Sequence, residues 1–141
     1  MKIEPYIMFD GRSEEAAAFY KAKLGAEVVA LMRFADNKEV CASGMVPPGA
    51  ENKVMHMALK IGDTLLMGSD GQCKGQADIK GVSLALQVKD VPESKRVFDA
   101  LADGGKVEMA LSPTFFSPSF GTLTDKFGVG WMVVTDGEPP K

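Results

Sequence analysis

His56 is the one histidine in this 141-residue chain, and its side chain is the most versatile chemical group the sequence offers. An imidazole changes charge near neutral pH, so it can act as a general base or hold an anionic ligand. The structural alternative is a ring that satisfies a buried carbonyl or braces the loop before it, since no triad carboxylate stands close by in sequence. A single histidine excludes a two- or three-histidine metal site within one subunit. Cys41 and Cys73 lie far apart, without CxxC or zinc-ligand spacing, and read as free thiols of a reducing compartment. Neither has a base close in sequence that would make it a nucleophile. Asp125 beside Lys126 reads as a surface pair or turn-bracing carboxylate ahead of a catalytic one, and Ser69-Asp70-Gly71 as a turn with Asx-type bonding. Nine methionines would fill a core or give a cavity a soft, adaptable lining.

The elements that must position these groups come in two copies. Ile3 to Phe9 reads as a strand and Ser13 to Lys23 as a helix, with Ser13 as N-cap, Glu14 and Glu15 in the first turn, and Gly25 closing it. The second half repeats this pattern with strand Val82 to Val88, the capping-box spacing Asp90-Val91-Pro92-Glu93, the stripe Val97, Phe98 and Leu101, and the terminator Gly104-Gly105. Superposing the halves places Phe19 on Phe98, Gly25 on Gly104 and Val28 on Val107. Three strand candidates follow each helix. They are Glu27 to Phe34, Val54 to Ile61 and Thr64 to Ser69 in the first half, and Lys106 to Leu111, Phe120 to Lys126 and Trp131 to Thr135 in the second. Gly62-Asp63 marks one tight hairpin and Gly128 another. The expected fold is α+β, βαβββ twice over in tandem modules 1–75 and 80–136 of one domain. Residues 35–53 form a loop inserted in the first module.

Composition bounds the function. The chain is long enough for one well-buried domain. Its net charge of −3 and pI near 5.2 leave no basic stripe for nucleic acid. Its apolar runs are too short to span a membrane. Met1-Lys2 leads into a strand pattern and not a secretory leader, so a cytoplasmic location is expected. No GxGxxG follows a strand, so a methyltransferase with the usual nucleotide-binding fold is not expected.

Paired βαβββ units resemble the vicinal-oxygen-chelate superfamily, which includes glyoxalase I, extradiol dioxygenases and bleomycin-resistance proteins. Within it the chain closely resembles the PhnB-like group. The matching residues begin with Tyr6-Ile7-Met8-Phe9-Asp10-Gly11, Phe19-Tyr20, Leu24-Gly25-Ala26-Glu27 and Met55-His56-Met57. They continue with Leu66-Met67-Gly68-Ser69-Asp70, Phe98-Asp99-Ala100-Leu101 and Gly105-Lys106-Val107. The most specific run is Thr114-Phe115-Phe116, Phe120-Gly121, Thr124 to Val129 and Trp131-Met132. Phe116 departs from the group, in which a tryptophan is usual at that place.

The resemblance implies a mixed sheet curled around a cavity, helices on its outer face, a homodimer, and a small-molecule ligand. Strand alternation then assigns faces. Ile3, Ile7 and Phe9 turn to the helix, as do Met55, Met57 and Leu59, and Val82, Leu84, Leu86 and Val88. The cavity side takes Glu4, Tyr6, Met8, His56, Ala58, Met67, Ser69, Ser83, Ala85, Gln87, Met132 and Val134, with one of Phe115, Phe116 and Phe120 at its mouth. Glu4 with His56 is the one inner acid–base pair that can be assembled, provided their strands are neighbours. Metal-dependent members carry His, Glu or Gln at positions that fall here near Tyr6 or Glu4 and at Met67, Ser83 and Val134. Those types do not suit a hard divalent cation, so neither metal nor other cofactor is expected. Two functions follow: a cup that binds a small, mostly apolar molecule, or a glyoxalase-like lyase, isomerase or dioxygenase-type enzyme that uses His56 as base or metal ligand, with Glu4, Tyr6 or Ser83 as its partners.

Overall fold

The computed structural model describes residues 1–37, 39, 43–44, 46, 48–71 and 77–137. Cys41 and Cys73 lie outside the described residues. The chain divides into two compact units, Met1–Asp78 and Ile79–Lys141, each with a twelve-residue α-helix and a four-stranded mixed sheet among the described residues. No helix among the described residues is long and apolar enough to cross a membrane.

In the first unit the elements are β1 (Tyr6–Met8), α1 (Ser13–Leu24), β2 (Glu27–Arg33), a 3-10 turn (Phe34–Asp36), β3 (Val54–Ile61) and β4 (Thr64–Ser69), and the sheet order is β1-β4-β3-β2. Only β1–β4 is parallel; β4–β3 and β3–β2 are antiparallel. β3 and β4 occupy the segments that alternation predicts. Ile61 pairs with Thr64 across Gly62, whose φ of 56° suits the first position of a two-residue primed turn. The inserted loop is tied at its base by Phe34 N–H to the Lys53 carbonyl (3.1 Å) and Ala35 N–H to that of Glu51 (2.8 Å).

The second unit contains β5 (Ser83–Val88), α2 (Val91–Ala102), β6 (Lys106–Ser112), β7 (Phe120–Thr124) and β8 (Gly130–Thr135), in sheet order β5-β8-β7-β6 with β5–β8 parallel. The repeat read from the sequence is present: β2 and β6 lie 79 residues apart at both ends, and Gly25 and Gly104, also 79 apart, take φ of 68° and 75°. Each helix covers one face of its own sheet. Phe9, Phe19, Tyr20, Met57, Leu59 and Leu66 are buried on that side in the first unit, as are Val97, Phe98, Leu101, Leu123, Trp131 and Val133 in the second.

Four expectations need correction. Ile3 is 93% exposed and does not face the helix. The β1 ladder begins only after Pro5, whose carbonyl receives Met67 N–H at 3.0 Å but which has no N–H of its own. Val82 likewise precedes its strand and is 66% exposed. β7 stops at Thr124, because Asp125 opens the turn that Gly128 completes at φ 93°. Ser13 is not the cap of α1. The N-cap position is Arg12, without a side-chain cap, and the buried Ser13 hydroxyl has no hydrogen-bond partner among the described residues.

The cap comes from Asp70, just after β4. Its Oδ1 accepts Gly11 N–H (2.9 Å) and Ser13 N–H (2.8 Å), and its Oδ2 accepts Val54 N–H (2.8 Å). In the second unit Asp90 caps α2 itself, accepting Glu93 N–H at 2.9 Å. The Glu93 carboxylate reaches back to Lys89 N–H at 3.3 Å and not to Asp90, so the capping box is displaced by one residue. Of the readings offered for Asp125, the turn-bracing carboxylate is the one found, and not the surface pair. It is 3% exposed and braces the hairpin, its Oδ1 accepting Phe127 N–H (2.9 Å) and Val129 N–H (3.1 Å), its Oδ2 the Trp131 indole N–H (2.9 Å).

Two stability predictions follow. Asp70→Ala strands three N–H donors and should cost about 3 kcal/mol or more, whereas Ser13→Ala should cost well under about 1; urea unfolding of the two variants separates them, and a larger loss in Ser13→Ala would restore the serine as cap. A Cβ on Gly105 would run into the Thr124 carbonyl oxygen and stand 2.9 Å from Asp125 Cα. Those are backbone atoms that cannot move aside alone, so Gly105→Ala should cost about 2 kcal/mol or more in the same assay.

Candidate functional site

The face of the first sheet that α1 does not cover is assembled by strand register. β1–β4 pairs Tyr6 with Met67 and Met8 with Ser69; β3–β4 pairs Ala58 with Met67; β2–β3 pairs Met32 with His56. Directly paired residues share a face, so these seven side chains stand together, opposite Met57, Leu59 and Gly68. A Cβ on Gly68 would meet the Phe9 ring at 2.9 Å, which marks that other side as the packed one. The open face is apolar and accessible: Tyr6 is 44% exposed, Met8 53% and Met32 43%.

At its centre the Tyr6 hydroxyl lies 3.0 Å from His56 Nδ1, with ring centroids 5.7 Å apart. The two strands are not neighbours, since β4 runs between them, and the pair reaches across that strand. Burial raises the Tyr6 phenol above its ordinary value, while the Ser69 hydroxyl pulls the other way. The phenol is therefore protonated at neutral pH. Ser69 itself is buried, its Oγ accepting Gly71 N–H at 3.0 Å and donating to the Val54 carbonyl at 3.4 Å.

Glu4 does not meet the condition set for it. It precedes β1, β1 is not adjacent to β3, and its carboxylate faces Lys2 Nζ at 3.6 Å. Tyr6 occupies the place beside His56 that was given to Glu4. Sequence reasoning named Tyr6 only as one of three possible partners of His56, and it missed Met32, which alternation from Ala30 along β2 could have supplied.

In the second unit the uncovered face carries Ser83, Ala85 and Gln87 beside Gly130, Met132 and Val134, which continue to Thr124, Thr122 and Phe120. Ser83 and Gln87 are exposed, Met132 and Val134 half-buried. Glu108, absent from the sequence reading, accepts the Thr124 hydroxyl at 3.3 Å. The phenylalanines form a staircase of edge-to-face contacts, Phe115–Phe116 at 5.1 Å and Phe116–Phe120 at 5.0 Å. Exposure rises along it from 7% at Phe120 through 47% at Phe116 to 89% at Phe115. On the helix side of this unit a groove of about 460 Å³ runs between α2 and β6, lined by Val91, Phe98, Val107, Leu111 and Pro118 among others.

Of the positions that the resemblance assigns to metal (near Tyr6 or Glu4, and Met67, Ser83 and Val134), Tyr6 and Met67 are directly paired here, a phenol and a thioether. Val134 is aliphatic and Ser83 an exposed hydroxyl. Among the described residues no three His, Cys, Asp or Glu side chains come together as a metal ion would require.

Two βαβββ modules, each a mixed sheet with one covered and one open face, define the class. The chain belongs to the PhnB-like family of the vicinal-oxygen-chelate superfamily, whose model, described as 3-demethylubiquinone-9 3-methyltransferase, matches residues 1–134. Protein YjdN of Escherichia coli (strain K12) is 39% identical over 140 residues, covering 94% of each chain. Protein PA1353 from Pseudomonas aeruginosa is 39% identical with a TM-score of 0.83, over 96% of this chain and 98% of that one. The PhnB protein from Bacillus cereus is 30% identical with a TM-score of 0.78, over 96% and 100%. The fold alone is shared with a glyoxalase-related enzyme from Fulvimarina pelagi, at 14% identity and a TM-score of 0.62, over 100% and 99%.

The environment of Tyr6 gives a pH prediction. A phenol whose folded pKa is raised makes a contribution to stability that is fully present below the unfolded value, about 10, and lost as pH rises through the folded one. Ultraviolet titration of wild type minus Tyr6→Phe, in a chain with two tyrosines, should place the Tyr6 midpoint above that of a free phenol. A midpoint at or below it would mean that burial does not govern this ring.

Proposed function

We propose that the protein binds a small, mostly apolar molecule on the open sheet faces, without the divalent metal that metal-dependent relatives use. The observation that carries this reading is the accessible face around Tyr6, Met8 and Met32, with a few polar groups (Tyr6, His56 and Ser69) set among apolar ones, as small-molecule sites require. Ser83, Gln87, Met132, Val134, Phe116 and Phe120 belong to the second open face and are read in the same way. The donor set does not fit a hard cation, since thioether, aliphatic and neutral phenol groups are poor ligands for one. The methyltransferase activity in the family's description gains no support from mixed sheets with one parallel pair each, which differ from the parallel nucleotide-binding sheet.

A homodimer and a cytoplasmic location complete the reading. β2 and β6 are edge strands of their own sheets and expose Val28, Val29, Val107 and Met109; apolar edges of this kind favour pairing with another chain. The cysteine spacing supports a reducing compartment. One observation favours an enzyme instead: the Tyr6–His56 hydrogen bond orients an imidazole on an open face. As a general base that ring would need its proton on Nδ1 and a free lone pair at Nε2.

The binding reading is tested with the dye 8-anilino-1-naphthalenesulfonate, followed by fluorescence. Wild type should bind it, and Met8→Glu should weaken binding about tenfold, because a charge would then have to be desolvated beside the ligand. Equal affinity in the two proteins would move the site off this face. Native mass spectrometry of protein prepared without chelators or a metal column reports subunit number and bound metal together. A dimer without metal is expected, and a stoichiometric divalent ion would overturn the metal-free assignment.

A further inference from the structure

The Tyr6–His56 pair has a direction. A neutral imidazole carries one N–H and one lone pair, and the partner at Nδ1 decides which nitrogen holds which. Tyr6 Oη, 3.0 Å from Nδ1, is a phenol, a better donor than acceptor because its lone pairs are delocalised into the ring. Ser69, buried on the same face, directs its hydroxyl to the Val54 carbonyl at 3.4 Å and receives Gly71 N–H at 3.0 Å. As the donor of the pair, the phenol places its proton toward His56 Nδ1. Among the described residues nothing meets Nε2.

We infer that His56 is held as the Nε2–H tautomer, so that the open face of the first sheet presents a fixed N–H donor and takes an apolar ligand bearing an acceptor oxygen, a carbonyl or carboxylate. This inference rests on reading that face as the binding surface. It makes the ring a hydrogen-bond donor to the ligand and not a base toward it. The strands that carry Tyr6 and His56 both pair with β4, so donor and apolar surroundings (Met8, Met32 and Met67) hold a constant spacing. An alkyl chain can lie over the thioethers while its oxygen meets Nε2–H.

A chain with one histidine makes the test direct. Two-bond ¹⁵N–¹H correlation spectra at alkaline pH, where imidazoles are neutral, report the tautomer of His56 without assignment ambiguity. The expected spectrum has a protonated Nε2 and an unprotonated Nδ1, and Tyr6→Phe should shift the balance toward a mixture. Octanoate should then move the Nε2 signal, bind about tenfold more weakly to His56→Ala, and bind more tightly than octylamine, which matches it in chain length but offers an ammonium. A protonated Nδ1, an Nε2 signal that octanoate leaves in place, or a preference for octylamine each overturns the inference. In those cases retained binding of the naphthalenesulfonate dye leaves the apolar-face reading standing, and its loss in Met8→Glu but not in His56→Ala locates the error in the donor alone. Failure of the dye to bind wild type removes both.

Discussion

Each module is organised around one buried carboxylate that accepts three N–H donors, two at Oδ1 and one at Oδ2. Asp70, 1% exposed, does this in the first module and Asp125, 3% exposed, in the second. A buried charge is costly unless it is fully hydrogen-bonded, and a carboxylate that accepts several N–H groups meets that condition. The two differ in reach. Asp125 holds residues two, four and six positions ahead of it, within one hairpin. Asp70 holds Gly11 and Ser13, 59 and 57 positions behind it, and Val54, 16 behind, and so joins the start of α1, the start of β3 and the end of β4. That three-way clamp fixes β1 against β4, and with it the register that sets Tyr6 beside Met67 and within reach of His56. The Tyr6–His56 face is a consequence of that clamp.

The difference in reach explains what the sequence made legible. Local features were read well. Val54–Ile61 and Thr64–Ser69 matched to the residue because Gly62-Asp63 fixes where one strand stops and the next starts, and the Gly128 turn was visible for the same reason. The alternation that grouped Tyr6, Met8, His56, Met67 and Ser69 on one face needs only period-2 geometry. Non-local features were not legible. The strand order β1-β4-β3 cannot be deduced from spacing, so Glu4 was set beside His56 where Tyr6 belongs. Asp70 looked like a turn residue because its partners lie 16 to 59 positions upstream. Ile3 and Val82 failed for a third reason: apolar alternation continues past the point where the backbone ladder ends, and only the ladder decides burial.

Glycine placement shows how tightly the covered faces are packed relative to the open ones. Gly68 in β4 sits under Phe9, and Gly121 in β7 under Phe98, whose ring a Cβ would meet at 2.8 Å. Each is a strand residue on the helix side beneath a phenylalanine. Both modules thus use a missing side chain to let an aromatic ring approach the sheet. Close packing of that kind on one side contrasts with the other, where Met8 and Met32 are about half exposed. The asymmetry belongs to each module alone and needs no second layer to explain it.

An apolar face left accessible is unfavourable for a monomer in water unless something covers it. Thioethers suit that situation, because methionine is flexible and polarisable and adapts to ligands of differing shape. Shape selectivity on such a surface is weak, so discrimination must come from its few polar groups. The Tyr6–His56 pair can supply it, because its hydrogen bond sets one oriented ring among the thioethers. Polar groups linked in this way polarise one another and resist reorientation. On the proposed reading, a ligand that offers an oxygen meets the donor of that pair, whereas one that offers a cation opposes it. The soft surroundings would then set how tightly a ligand is held, and the Tyr6–His56 hydrogen bond which ligands are held at all.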